Sequence, residues 1–252
     1  MPHILIIDSN PAATTADRGV APGAVYAAAL RACRDDLTLS VIRPYDGDAL
    51  PALEMFDGVV FTGSAVEWST DDARAEPIAA VMRAVFKMGL PTLGSCNGMQ
   101  LAASVLGGRS DASPNGQENG LARDIQLTQA GRSHPFLAGR VDGYAAPCIH
   151  RDEVSDLPEG AVVLAGNSHS GVQAFAYEQD GIRFWGVQYH PEYTPEVVSG
   201  IMSRTGFMGA QDAQDLSQAD TSAEAAARLG IRPDDLAPEM RLRELRNWLA
   251  QL

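Results

Sequence analysis

The stretch Pro91-Thr-Leu-Gly-Ser-Cys-Asn-Gly-Met-Gln100 places a cysteine between two glycines, at the point where an extended run gives way to a helical pattern. Gly94 and Gly98 leave room for the cramped strand-to-helix turn that presents a nucleophile. A helix that begins at Asn97 would direct its N-terminal amides and the positive end of its dipole at the sulfur of Cys96, which favours the thiolate form. The stretch therefore predicts an α/β fold with a nucleophilic cysteine at the carboxyl end of a strand.

The other cysteines carry no comparable signal. Cys33 falls in the apolar stripe of a helix and Cys148 follows a proline near a strand, so both are predicted to be packing residues. The alternative that Cys96 is also only a small buried residue is weakened by its paired glycines. Three cysteines at distant spacings predict neither a disulfide framework nor a metal site.

A base for the cysteine is found in Gly186-Val-Gln-Tyr-His-Pro-Glu192. In extended backbone, His190 and Glu192 lie two residues apart and share a face. Pro191 stiffens the pair, because it fixes its own φ and holds the preceding residue extended. A carboxylate beside an imidazole sets its tautomer and stabilises the imidazolium, so Cys96, His190 and Glu192 are predicted to form a nucleophile, base and orienter.

Together the two stretches resemble the signatures of the class I, triad-type glutamine amidotransferases, Gly-x-Cys-x-Gly-x-Gln and Gly-x-Gln-x-His-Pro-Glu. Every signature position is present and the order along the chain is the expected one. The resemblance covers the chain from about His3 to Ser203, and within it the chain is similar to the glutaminase domain of GMP synthetase. It implies hydrolysis of a glutamine side-chain amide through a cysteine thioester.

The resemblance also implies an oxyanion hole. Gly63 and Ser64, which follow the apolar run Gly58–Phe61, resemble the family's glycine loop. Their backbone amides, together with the amide of Asn97, are expected to meet the negative oxygen of a tetrahedral intermediate.

The implied substrate contacts lie in two other segments. Gln100 occupies the family's substrate-contacting glutamine position. His150, Arg151 and Asp152 belong to a segment similar to the family's His-Gly-Asp-x-Val, in which Arg151 replaces a glycine. The resemblance implies no metal and no cofactor, and the chain has no glycine loop of the phosphate-binding type.

Strands and helices alternate along the first half, which predicts a flavodoxin-like, doubly wound, mostly parallel sheet flanked by helices. The second half is predicted to be richer in strands, after a polar loop over Ser110–Gly120. The predicted strands are His3–Asp8, Leu37–Ile42, Gly58–Phe61, Pro91–Ser95, Asp124–Thr128, Ala161–Ala165, Val172–Tyr177 and Arg183–Gln188, and the predicted helices of the first half are Ala21–Cys33, Asp71–Met88 and one from Asn97.

The chain divides into a glutaminase domain over 1–204 and an extension over 205–252. Gln211–Thr221 is predicted to be a linker or loop, whereas Ser222–Leu229 and Pro238–Leu252 are predicted to be helices. The last helix carries an apolar stripe that includes Trp248. We expect this stripe to pack on its own domain rather than form a subunit interface or an active-site lid.

The charge balance excludes several classes of partner. Nineteen Lys and Arg residues against thirty-two Asp and Glu residues give a net charge of -13, which opposes binding to nucleic acid or to an anionic membrane. No apolar run approaches the roughly 20 residues that cross a bilayer. The few cysteines, one of which must stay reduced, favour a cytoplasmic location.

Two enzymatic functions and one non-enzymatic function remain open. The leading interpretation is an amidotransferase that releases glutamate and supplies ammonia to an acceptor synthetase on another chain, since no ATP-dependent synthetase domain is recognisable here. The alternative is a stand-alone hydrolase of γ-glutamyl amides. A non-catalytic regulatory or binding relative is a third class, but its usual mark is a broken triad. A homo-oligomer is compatible with all three.

Overall fold

The computed structural model describes all residues from Met1 to Leu252. Its strands are β1 (His3–Ile7), β2 (Thr38–Ile42), β3 (Gly58–Phe61), β4 (Thr92–Ser95), β5 (Arg109–Ala112), β6 (Glu118–Leu127), β7 (Tyr144–His150), β8 (Asp152–Asp156), β9 (Val162–Gly166), β10 (Ala174–Tyr177) and β11 (Phe184–Val187). Its helices are α1 (Ala12–Arg18), α2 (Pro22–Cys33), α3 (Glu76–Met88), α4 (Asn97–Val105), α5 (Gln129–Ser133), α6 (Pro195–Thr205), α7 (Ala210–Ser217), α8 (Ala223–Arg228), α9 (Pro238–Arg241) and α10 (Arg243–Leu249).

Nine strands form one sheet in the order β2-β1-β3-β4-β11-β10-β9-β6-β7, and β5 pairs with β8 in a small second sheet. The five strands from β2 to β11 are parallel, whereas the remaining four pair antiparallel. The predicted α/β class, the parallel core and the strand-rich second half are therefore confirmed.

The parallel core is covered on both faces, as its nearly continuous apolar strands require. In β1, Ile4 and Ile6 join one buried cluster, whereas Leu5 and Ile7 join the other. Helices α2 and α10 supply side chains to the first cluster, and α3 and α4 supply side chains to the second. The carboxyl ends of the central strands are left open between these layers.

Three predictions about elements are wrong. The predicted loop over Ser110–Gly120 contains most of β5 and the start of β6. The predicted linker over Gln211–Thr221 holds most of α7, whose apolar side chains Ala213 and Leu216 are buried. The predicted helix over Pro238–Leu252 is two short helices that separate at Leu242.

The apolar stripe of the last helix packs on its own chain, as the sequence predicted. Leu245 and Trp248 are buried in the same cluster as side chains of β1. The indole fits above β3 because Gly58 has no side chain: a Cβ there would lie 2.9 Å from the Trp248 ring. None of the ten helices has the length and apolar character needed to cross a membrane.

Candidate active site

Cys96 lies in a sharp turn between β4 and α4. Its backbone has φ 48° and ψ -109°, a left-handed conformation that non-glycine residues adopt only at a cost. A Cβ on Gly94 would lie 2.7 Å from the carbonyl carbon of Gly98, and one on Gly98 would collide with the carbonyl oxygen of Phe61. Both glycines are therefore required by close backbone contacts, and the predicted strand-to-helix turn is present.

The register of the sheet brings the two motifs together. β4 and β11 are parallel neighbours in which Ser95 is opposite Val187, and the backbone N–H of Cys96 donates to the carbonyl of Val187 at 2.8 Å. The chain beyond β11 therefore leaves the sheet beside the turn. A Cβ on Gly63 would lie 2.5 Å from Cε1 of His190 and 3.5 Å from Cβ of Cys96, so both side chains lie close to this one glycine.

His190 and Glu192 form a buried pair. Nδ1 of the imidazole lies 2.7 Å from Oε1 of the carboxylate, and both side chains are almost inaccessible to solvent. Burial alone would lower the pKa of His190, but the charge of Glu192 and the adjacent Cys96 outweigh it and raise that pKa to about 10. The imidazole consequently keeps its proton at neutral pH and faces the sulfur as a cation.

The predicted oxyanion residues lie at the mouth of this site. Gly63 lies close to Cys96, and both Ser64 and Asn97 line the cavity beside it. The backbone N–H groups of Gly63 and Ser64 have no acceptor within the chain. Sequence reasoning missed Asn10, whose side-chain oxygen accepts hydrogen bonds from the Ser64 hydroxyl at 3.0 Å and from the N–H of Ala65 at 2.8 Å. Its position just after β1 was the available signal, because ligands collect where parallel strands end.

A cavity of about 350 Å³ opens in front of Cys96, within the range of small-molecule sites. Its walls come from the loop after β3, the β7–β8 turn, and the segments around α1 and α6. The predicted residues that line it are Ser64, Cys96, Asn97, Gln100, His150, Arg151, Asp152 and His190.

Three of the predicted substrate contacts, Gln100, Arg151 and Asp152, also bind within the protein. Nε2 of Gln100 donates to the carbonyl of Asp152 at 2.6 Å and to Oε1 of Gln188 at 3.2 Å. The Arg151 guanidinium binds the Asp152 carboxylate through two nitrogens at 2.7 and 2.8 Å, and a third nitrogen reaches the carbonyl of Glu67. These bonds join α4 to the β7–β8 turn. A direct contact with substrate stays a prediction for these residues.

His150 is held by a buried carboxylate that the sequence did not reveal. Its Nε2 lies 2.9 Å from Oε2 of Glu118, and its Nδ1 lies 3.0 Å from the carbonyl of Asp152. Burial alone would raise the pKa of Glu118, but hydrogen bonds from His150, Asn167 and Gln173 lower it below its usual range. The carboxylate is thus ionised and shared among several donors.

The same carboxylate belongs to a group with metal-ligand chemistry. Ligand atoms of Glu118, His150 and His169 lie within 4.8 Å of one another. Both carboxylate oxygens already accept hydrogen bonds, Oε1 from Asn167 at 2.7 Å and Oε2 from Gln173 at 2.7 Å. A cation would have to displace these donors, so the group is better described as a hydrogen-bond network.

The two remaining cysteines differ from Cys96 in their surroundings. Burial raises the pKa of Cys33 to about 11. Burial and the nearby charge of Glu118 raise the pKa of Cys148 well above its usual value. Both thiols stay protonated at neutral pH, which agrees with the predicted packing role.

Comparisons with known proteins place the whole chain among its relatives. The family model "Glutamine amidotransferase class-I" matches residues 26–208. The chain is 30% identical, over 99% of its length, to a γ-glutamyl-L-1-hydroxyisopropylamide hydrolase of a Pseudomonas species, and 92% of that protein is covered. It is 37% identical to a glutamine-hydrolysing subunit of GMP synthase from Methanoculleus marisnigri, over 52% of this chain and 67% of that protein.

The fold is shared with solved structures as well. A glutamine amidotransferase from Thermotoga maritima matches it with a TM-score of 0.69 at 19% identity, covering 99% of this chain and 97% of that chain. The family model spans most of the chain and both motifs. The chain therefore belongs to the class I glutamine amidotransferase family.

Proposed function

We propose that this protein hydrolyses γ-glutamyl amides through a thioester on Cys96, with His190 as acid and base and Glu192 as the group that orients it. The observation that carries the proposal is the buried 2.7 Å contact between Nδ1 of His190 and Oε1 of Glu192, beside a cysteine at a strand-to-helix turn. This is the arrangement in which a nucleophile, a base and an orienting carboxylate act together.

The reaction proceeds in two halves. The sulfur of Cys96 attacks the γ-carbonyl carbon, the C–N bond breaks, and His190 donates its proton to the departing amine. The product of this half is a glutamyl thioester and a neutral imidazole. A water molecule then gives a proton to His190 while its oxygen attacks the thioester carbon, which releases glutamate and restores the sulfur.

The negative oxygen that forms in each half needs donors that are already in place. The unpartnered N–H groups of Gly63 and Ser64, together with the N–H of Asn97 at the start of α4, supply them in this proposal. Gln100 and the His150–Asp152 turn would then border the glutamyl end of the substrate.

Two observations favour a substituted amide as substrate. The similarity to the Pseudomonas hydrolase extends over nearly the whole of both chains, including the segment after residue 208. In addition, Trp68, Ile201 and Phe207 line the cavity with apolar surface. The amide group of glutamine carries nothing that would cover such a surface, whereas an apolar amine substituent would.

A second candidate is the supply of ammonia to an acceptor enzyme on another chain. It is favoured by the similarity to the Methanoculleus GMP synthase protein, which spans about half of this chain. A glutaminase of this kind would be slow in isolation and faster with its synthetase.

Steady-state hydrolysis of glutamine and of a series of N-alkyl γ-glutamyl amides separates the two candidates. We expect kcat/KM on at least one alkyl amide to exceed that on glutamine by about tenfold or more, because each buried methylene contributes about 0.8 kcal/mol. We expect the Cys96→Ala variant to be inactive on all of them. Turnover by that variant would overturn the thioester mechanism, and a clear preference for glutamine would favour the second candidate.

A further inference from the structure

The C-terminal segment contacts the backbone that joins His190 to Glu192. Arg241, the last residue of α9, has only 7% of its surface exposed. Its Nη1 donates to the carbonyl oxygen of Pro191 at 2.8 Å. Pro191 is the residue between His190 and Glu192, so a side chain from outside the matched region 26–208 holds the backbone that joins them.

Arg241 brings a charge as well as a hydrogen bond. Burial lowers its pKa from the usual value, and the charges of Glu192 and Asp220 oppose that effect. A guanidinium remains protonated in proteins, so this is a buried cation close to the carboxylate that orients the imidazole. Its Nε has no partner, and a buried cation with incomplete hydrogen bonding is costly. If position 241 were needed only for apolar packing, a methionine or leucine there would be more favourable than an arginine.

A second contact holds the residue on the other side of His190. The hydroxyl of Tyr189 donates to Oε1 of Glu244 at 2.7 Å. Glu244 lies in α10 and is bound by Arg140 through two nitrogens at 2.7 and 2.9 Å, with both side chains fully buried. Residues 189 and 191, which flank His190, are therefore both tied to the helices that end the chain.

We propose that Arg241 is a positioning residue for the reaction, which fixes the His190–Pro191–Glu192 backbone and keeps the imidazole aimed at Cys96. The proposal rests on the catalytic role of that pair given above. A misplacement of about 1 Å in such a group can lower a rate by about 100-fold, so a single backbone hydrogen bond at this place has a large effect on turnover. Substrate binding depends on other walls of the cavity and should change little.

The test compares Arg241→Met with Arg241→Lys in the full chain, with the preferred γ-glutamyl amide as substrate. We expect Arg241→Met to lower kcat by about 10- to 100-fold and to leave KM within about threefold of the parent value. Lys keeps a charge and a donor, so it should restore kcat to within about threefold of the parent. Arg246→Met is the matched control, because Arg246 donates only to the carbonyl of Glu239 on the surface.

A second readout separates positioning from packing. The rate at which iodoacetamide alkylates Cys96 depends on the imidazolium that faces the sulfur, and it should fall with kcat in Arg241→Met but not in Arg246→Met. The proposal is overturned if Arg241→Met keeps its kcat within about twofold of the parent, or if Lys is as impaired as Met. Should Met fail to fold, Arg241→Gln replaces it, and equal kcat for the parent, Lys and Gln proteins overturns the proposal.

A failure of the positioning role can be told apart from a failure of the proposed function. If Cys96→Ala retains turnover, the thioester mechanism itself is wrong, whatever Arg241 does. If Cys96→Ala is inactive and Arg241→Met is fully active, the mechanism stands and only the positioning role is lost.

Discussion

The phenol ring of Tyr193 lies flat against the imidazole of His190, with ring centroids 4.2 Å apart and planes 4° apart. An aromatic contact of this kind is worth about 0.5–1.5 kcal/mol beyond simple burial, and here it restricts the rotation of the imidazole. We expect Tyr193→Ala to lower kcat by about 3- to 10-fold. Tyr193→Phe keeps the ring and should keep the rate. Equal losses in both variants would assign the effect to the hydroxyl.

Replacing the orienting carboxylate should change both the rate and its pH dependence. In Glu192→Gln we expect kcat to fall by roughly 100- to 10,000-fold. The charge of Glu192 helps to raise the pKa of His190 to about 10, so the parent kcat/KM should decline as the pH rises through about 10, where the imidazolium loses its proton. The variant should decline at lower pH. A pH profile of kcat/KM that keeps the same alkaline limb in the variant would contradict this assignment.

Gly63 is a residue at which one added carbon should slow the reaction strongly. A Cβ there would lie 2.5 Å from Cε1 of His190, so Gly63→Ala must displace the imidazole or the loop. We expect a loss of about 100-fold in kcat with little change in the urea midpoint of unfolding. Gly171→Ala is the control, because a Cβ there meets no atom within 4 Å. A fully active Gly63→Ala protein would show that the loop moves aside freely.

The buried pair of Arg140 and Glu244 should matter for stability. Both side chains are fully buried and joined by two hydrogen bonds. Glu244→Gln leaves the guanidinium without its counter-charge, a change that costs about 3–5 kcal/mol in the free energy of unfolding. Urea denaturation measures this loss in the free energy of unfolding, with Glu239→Gln on the exposed start of α9 as the control. A loss below about 1 kcal/mol would mean that water reaches the guanidinium.

The strand-to-helix turn and the contact between His190 and Glu192 could be predicted from the sequence because their requirements are local. Gly94 and Gly98 are needed for backbone contacts within one turn, and His190 and Glu192 are only two residues apart. The predicted extended backbone for this pair is wrong, because residues 190–193 form a turn in which the N–H of Tyr193 donates to the carbonyl of His190 at 3.2 Å. Each pattern therefore appears within a few residues. That the two patterns meet was predicted from triad logic and from the family resemblance, and not from any local pattern, since the register of β4 against β11 is set by the whole sheet.

The parts that were missed depend on distant contacts. The residues of α7 include few apolar side chains, and they form a helix because Leu216 is buried in one cluster with Leu121 of β6 and Val198 of α6. Glu118 resembles an ordinary surface residue until His150 is folded against it. Arg241 is separated from Pro191 by α6, α7 and α8, and no short pattern joins them.

The packing of α10 over β3 also determines where the chain can be truncated. The match to the family model ends at residue 208, yet Trp248 fills the space above Gly58, and Leu245 is buried beside it. A fragment truncated at that limit would expose an apolar strip of the parallel sheet to water and would be prone to aggregate. The border of the shared family pattern and the border of the folding unit are therefore different positions in this chain.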